Sequence, residues 1–195
     1  MNVVYYEGEC IYFRPIEMDD GPLLQQWIND PRNWSTLGHR GPINGRYEQQ
    51  WIERVHSGGD HYNFGVVVKD ADRLIGTCGF DAIRWIDRKA LVGIVIGDVE
   101  MQNQGHGSEA MALLLRFGFE ELNLNRIELC VFSHNPRAIR VYEKLGFVRE
   151  GCHRQAYFRH GRYHDELRYG ILREAWEAGG HGVTAEAALP DGGGP

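Results

Sequence analysis

The stretch Gln102-Asn103-Gln104-Gly105-His106-Gly107-Ser108-Glu109-Ala110 constrains this chain more than any other. It stands between an apolar run suited to a strand (Leu91 to Ile96) and a long helical pattern (Gly107 to Leu122). Glycine at a strand-to-helix junction frees the main chain of Cβ bulk. Several N–H groups can then turn toward one ligand at the positive end of the helix dipole. The junction therefore reads as a phosphate cradle made of backbone. No Gly-Lys-Ser/Thr follows, so it is not a loop of the Walker type.

The chain has 195 residues, which suits one domain with a sizeable core. Its net charge of −6 argues against non-specific nucleic-acid binding, and no nucleic-acid partner is expected. No run is long and apolar enough to span a bilayer, and the first residues lack a basic region ahead of an apolar one; neither a membrane span nor a signal peptide is expected. Cys10, Cys78, Cys130 and Cys152 form no Cys-x-x-Cys pair. Cys78 and Cys130 sit in apolar runs and read as buried thiols, and the compartment is expected to be reducing and cytoplasmic. His160 and His164 are four apart, but Gly161 spoils helical ligand geometry, so no metal site is expected.

The periodicities predict an ordered series of elements. Ile11 to Arg14 is a strand stopped by Pro15. Leu23, Leu24, Trp27 and Ile28 form a helix behind Asp19 and Asp20, ended at Asn29-Asp30-Pro31. Residues 32–45 read as irregular, and Tyr47, Trp51, Ile52 and Val55 as a second helix. Phe64 to Val68, Leu74 to Phe80 and Ala90 to Ile96 read as three strands of an antiparallel meander. After the glycine loop and its helix comes a strand, Ile127 to Phe132. A helix from Pro136 follows, with Ala138, Val141, Tyr142 and Leu145 as its stripe and Gly146 as terminator. Phe147 to Tyr157 and Tyr163 to Leu172 read as a hairpin. The expected fold is α+β, a mixed and mostly antiparallel sheet of about seven strands with about four helices. The expected domain is 1–177, with 178–195 a Gly- and Ala-rich disordered tail.

Two motifs in order carry a resemblance. The spacing Gln102-x-x-Gly105-x-Gly107 resembles the pyrophosphate loop of the GNAT superfamily of acyl-CoA-dependent N-acetyltransferases. The segment Asn135-Pro136-Arg137-Ala138 through Tyr142 to Gly146-Phe147 is similar to that family's second signature. The feeding strand (Ala90 to Gly97), the start (Phe13-Arg14-Pro15-Ile16) and the closing hairpin (Gly161 to Asp165) also fit, and together they resemble the RimJ/RimL-like and spermidine-acetyltransferase-like branches. There are two departures. Many relatives carry Gly-Lys where this chain has Asn103-Gln104, and often a glutamate where it has Leu91. A base carried over to position 91 is therefore lost.

The resemblance implies a GNAT-like fold and acetyl-CoA as co-substrate. Val95 and Ile96 would pair with its pantetheine arm. Backbone donors around Gln102, Gln104, Gly105, His106, Gly107 and Ser108 would hold its pyrophosphate. Asn135 and Ala138 would bind from the other side, and Arg137, Arg140 or Lys144 would meet the adenosine phosphate. Tyr142 would be the acid that protonates the leaving thiolate. Without the family match, Tyr142 reads as core on an apolar stripe and Asn135 as a helix cap. Glu128, Glu100, His134 and Asp165 are candidate bases, none preferred. The implied activity is direct acetyl transfer to a primary amine, of a protein N-terminus, a polyamine or an amino sugar. The rival is an acyl-CoA-binding sensor without chemistry. The edge strands of the hairpin leave a homodimer or higher oligomer open.

Overall fold

The structure, a computed structural model, describes residues 4–56 and 59–181. Eight strands form one sheet: β1 (Tyr6–Glu7), β2 (Ile11–Arg14), β3 (Tyr62–Val68), β4 (Arg73–Arg84), β5 (Lys89–Ile96), β6 (Arg126–Phe132), β7 (Val148–Arg159) and β8 (Arg162–Leu172). Their spatial order is β1-β2-β3-β4-β5-β6-β8-β7, and only the β5/β6 pair is parallel. Six helices accompany them: α1 (Gly21–Asn29), α2 (Pro31–Trp34), α3 (Gly45–His56), α4 (His106–Arg116), α5 (Pro136–Lys144) and α6 (Arg173–Trp176). The mixed, mostly antiparallel α+β fold is the expected one. The expected seven strands and four helices become eight and six.

The additions have local causes. β1 is two residues long, too short to show a period, and pairs with Tyr12 and Phe13. α2 begins where α1 stops. Asp30, read from the sequence as part of a stop, also caps the next turn, its side chain accepting from Arg32 N at 2.8 Å, with Pro31 at the first helical position. α6 runs on into the wide turn Glu177–His181, which kinks at Gly180 with φ of +76°. The expected tail therefore lies mostly at 182–195, outside the described residues.

Both faces of the sheet are covered, which is why Phe64 to Val68 reads as a continuous apolar run. Val66 faces one core with Ile75, Phe80, Met111, Leu114 and Ile127. Val67 faces the other with Tyr12, Trp27 and Ile52, under α1 and α3. Each fully buried Phe or Leu contributes roughly 1.5–3 kcal/mol relative to exposure. α4 gives way to a wide turn at Phe117–Glu121, where Leu122 N–H donates to Phe117 O at 3.1 Å, five residues back. Gly118 makes this possible: a Cβ there would lie 2.8 Å from Phe80 Cζ. The expected single helix to Leu122 is thus broken by close approach of backbone to the sheet.

Candidate functional site

β5 and β6 pair only at Lys89–Leu91 with Arg126–Glu128. Beyond that, β5 stays with β4 as far as Ile96, while β6 stays with β8 as far as Phe132. The two strands therefore part, and backbone groups of β5 on the β6 side lose their ladder. The gap is a cavity of about 370 Å³. Val92 to Ile96 line one side and Cys130 to Phe132 the other. Gln102, Gly107, Asn135, Ala138 and Tyr142 close it from the loop and from α5.

The loop after β5 is held by side chains rather than by regular structure. Gln102 Nε2 donates to Ile96 O at 2.8 Å and to Asn33 Oδ1 at 2.9 Å, and Gln102 Oε1 accepts from Arg137 Nη1 at 3.1 Å. Gln104 Nε2 donates to Glu100 O at 2.6 Å. Gly105 enters α4 with φ of +92°, a left-handed backbone that favours glycine. Ser108 and Glu109 N–H donate to Gly105 O, so the amides just before them have no intrahelical acceptor. Free amides at the positive end of an 11-residue helix fit a diphosphate. The His106 side chain adds a buried Nε2 without a partner among the described residues.

α5 closes the other wall. Asn135 Oδ1 caps it by accepting from Ala138 N at 3.2 Å, and Asn135 lines the cavity. Arg137 also donates to Asn103 Oδ1 at 3.1 Å, so a guanidinium leans over the loop that lacks the family's lysine. Tyr142 is 9 % exposed and meets Phe147 edge-on at 5.8 Å. Its hydroxyl has no hydrogen-bond partner among the described residues. Burial pushes its phenol up to about 12. It is both core and cavity wall.

The sequence-derived residues fall into two groups. Val95, Ile96, Gln102, Gly107, Asn135, Ala138 and Tyr142 border one cavity. Gln104, Gly105, His106, Ser108, Arg140 and Lys144 do not border it; the first four lie in the loop and first turn beside it, and Arg140 and Lys144 are exposed on α5. Cys130 corrects an expectation. It is exposed at the cavity wall rather than buried, because it alternates with Leu129 and Val131, which take the core face. Burial of its surroundings still pushes the thiol up.

None of the candidate bases borders the cavity. Burial works to raise the Glu128 carboxyl, but the Arg126 hydrogen bond at 2.5 Å and the Lys89 charge outweigh it and hold it below its ordinary value. Glu100 is exposed near Arg73, His134 Nε2 meets Ser35 O at 3.0 Å, and Asp165 Oδ1 accepts from Gln155 N.

Residues 33–38, read as irregular, prove to be part of the site. Asn33, Thr36, Leu37 and Gly38 line the cavity. Asn33 is 4 % exposed, and its Nδ2 donates to Gly97 O at 2.7 Å and Trp27 O at 3.1 Å. From the other side, the closing hairpin seizes this strap by its carbonyls. Tyr157 Oη donates to Leu37 O at 2.9 Å, and Arg159 donates to Trp34 O and to His39 O. The one signal in the sequence was Asp30-Pro31 as a helix start.

Comparison with known proteins identifies the family. Residues 11–148 match the model of the acetyltransferase (GNAT) domain. An uncharacterized N-acetyltransferase of Bacillus licheniformis is 30% identical over 179 residues, 90% of this chain and 99% of the relative. The spermidine N(1)-acetyltransferase of Vibrio cholerae is 32% identical over 166 residues, 84% and 93% of the two chains. The crystal structure of spermidine N-acetyltransferase from Vibrio cholerae in complex with CoA and spermine superposes with a TM-score of 0.81 at 26% identity, covering 87% of this chain and 99% of that one. The chain belongs to the GNAT family of N-acetyltransferases, which move an acetyl group from acetyl-CoA to an amine.

Proposed function

We propose that the chain transfers acetyl from acetyl-CoA directly to a primary amine in the β5/β6 gap, with Tyr142 as general acid. One observation carries this reading: a buried phenol without a partner among the described residues stands where the two strands part. The amides of Gln104 to Gly107 hold the pyrophosphate, the Ser108 N–H being taken by Gly105 O. Val95 and Ile96 receive the pantetheine arm as a neighbouring strand would, and the Asn135 amide donates from the far wall. Arg137, Arg140 and Lys144 face the adenosine phosphate, Arg137 supplying the cation that Asn103-Gln104 do not.

The deprotonated amine attacks the thioester carbonyl. An unpaired N–H on the β6 side of β5 stabilises the oxyanion. As the C–S bond breaks, Tyr142 gives its proton to the thiolate, and the proton lost by the amine restores the phenol or leaves with solvent. The raised pKa keeps the phenol protonated at neutral pH. The Cys130 thiol, also pushed up, is a poor nucleophile, which favours direct transfer.

The four free cysteines support a reducing, cytoplasmic setting. β7 ends the sheet as an unpaired edge, which supports a homodimer. No helix among the described residues is long and apolar enough to cross a membrane.

The test is a screen of amines read by CoA release, beside calorimetry with acetyl-CoA. Turnover on at least one amine is the expected result. Tight acetyl-CoA binding with no CoA formed from any amine marks a sensor instead.

A further inference from the structure

The two-residue period of a strand fixes which main-chain groups of β5 face the gap. Arg126 N–H donates to Arg88 O at 3.1 Å, and the parallel ladder runs on to the Leu91/Glu128 pair. Alternate residues of a strand turn their N–H and C=O to the same neighbour. Arg88, Ala90 and Val92 therefore face β6, and Ile94 and Ile96 face the gap beyond it. Two contacts agree with this alternation. Ile96 O accepts from Gln102 on the gap side, whereas Val95 O points to Gly76 of β4, where it would clash with a Cβ. Ile94 N–H is thus the first amide past the ladder that no strand takes up. A thioester carbonyl that accepts from it, with its sulfur arm along Val95 and Ile96, sends its acyl chain the other way, into the closed end of the gap.

That end has one way out. At Leu91 and Glu128 the two backbones are bonded about 4.8 Å apart, and nothing passes between them. Toward α4 the walls are Val92 and Val131, both buried in the main core with Phe80 and Leu114. On the opposite face the walls are Gly93 and Cys130, both exposed. A Cβ on Gly93 would meet nothing within 4 Å, so the space there is open. Farther along this face the side chains are charged and engaged: Glu128 with Arg126 and Lys89, Glu166 with Arg168 at 2.8 Å. Glu128 is two residues, about 7 Å, from Cys130 along β6. The open space therefore suits a short, uncharged tail.

Resting on the N-acetyltransferase reading of this cavity, we infer that the site also transfers propionyl and n-butyryl groups from their CoA thioesters, with Gly93 as the residue that admits the longer chain. The step is that of acetyl transfer. The amine nitrogen bonds the acyl carbon, the C–S bond breaks, and the thiolate takes the proton of Tyr142. Only the tail differs. Each methylene that leaves water at Gly93 tightens donor binding about fourfold. Gly93 lies within β5, where a β-branched residue suits the strand, so valine fits the fold there and fills the space.

Calorimetry on the full chain compares acetyl-CoA with n-butyryl-CoA, and CoA release compares their kcat/KM with whichever amine is most active in the screen above. Butyryl-CoA should bind at least threefold more tightly and be used with at least a tenth of the kcat/KM of acetyl-CoA. Gly93→Val should lower the butyryl-to-acetyl ratio of kcat/KM at least tenfold. In that variant the melting shift with CoA itself, which carries no acyl group, reports an intact fold and cofactor site. A gain in binding under threefold, or a kcat/KM under a tenth, overturns the inference and leaves the transferase reading standing. A ratio that Gly93→Val does not change also overturns it, since the tail would then lie elsewhere. CoA release from neither donor with any amine overturns the transferase reading, and this inference with it.

Discussion

Tyr142 occupies two roles that usually belong to different residues. Its ring packs in the core beside Phe147, and the residue lines the gap. Tyr142→Phe keeps the packing and removes the proton. We expect kcat to fall about 10²- to 10⁴-fold with acetyl-CoA affinity unchanged, measured by steady-state kinetics and calorimetry. Normal kcat in this variant would remove Tyr142 from the chemistry. The raised pKa has a sign that can be checked. A phenol raised from 10.0 to about 12 on folding adds stability that is complete below pH 10 and is lost as pH rises toward 12. Wild type should therefore lose about 1 kcal/mol more than Tyr142→Phe between pH 8 and pH 11 in urea unfolding. For the same reason, no fall in kcat/KM from this group is expected below pH 10. Asn33 is a second residue of consequence. It satisfies two carbonyls and accepts from Gln102, so Asn33→Ala should cost about 1–3 kcal/mol in denaturant unfolding and loosen the loop.

Among the elements, the strap from α2 to residue 40 shows how a segment without regular structure becomes a rigid wall. Its carbonyls from Trp34 to His39 are held by Arg159, Tyr157 and His134, which come from two other parts of the chain. Lysine in place of Arg159 retains charge but cannot reach two carbonyls at once in a planar fork. Arg159→Lys should raise the acceptor KM about tenfold while acetyl-CoA affinity stays within about twofold, because only one side of the cavity moves. Equal loss of both would mean a general folding defect. Gly97 marks the opposite contact. A Cβ there would lie 2.6 Å from Trp27 Cγ, so the end of β5 and α1 fit only with glycine between them.

At the scale of the whole molecule, the gap left by the parted strands is the site we propose for acetyl-CoA. A ligand that fills the gap binds only the folded state. At a hundredfold excess over Kd it should add about 2.7 kcal/mol, or roughly 5–11 °C in melting temperature for a chain of this size. No shift with correctly folded protein would contradict the assignment of the gap.

What could be read from the residues follows from how local each signal is. The glycine junction, the Pro136 helix start and the alternation in Ile127 to Phe132 are set by backbone sterics and side-chain period, which need only neighbours in sequence. These determined the strand-loop-helix cradle, the stripe bearing Tyr142 and the order of the main elements. Tertiary packing alone decided the rest. The β5/β6 gap is a difference of partners, β4 for one strand and β8 for the other. The strap joins residues some 120 positions apart. The exposure of Cys130 depends on which face of the sheet a helix covers. Short-range sterics can specify a cradle, but a cavity is the space between elements, and only their long-range packing gives that space its walls.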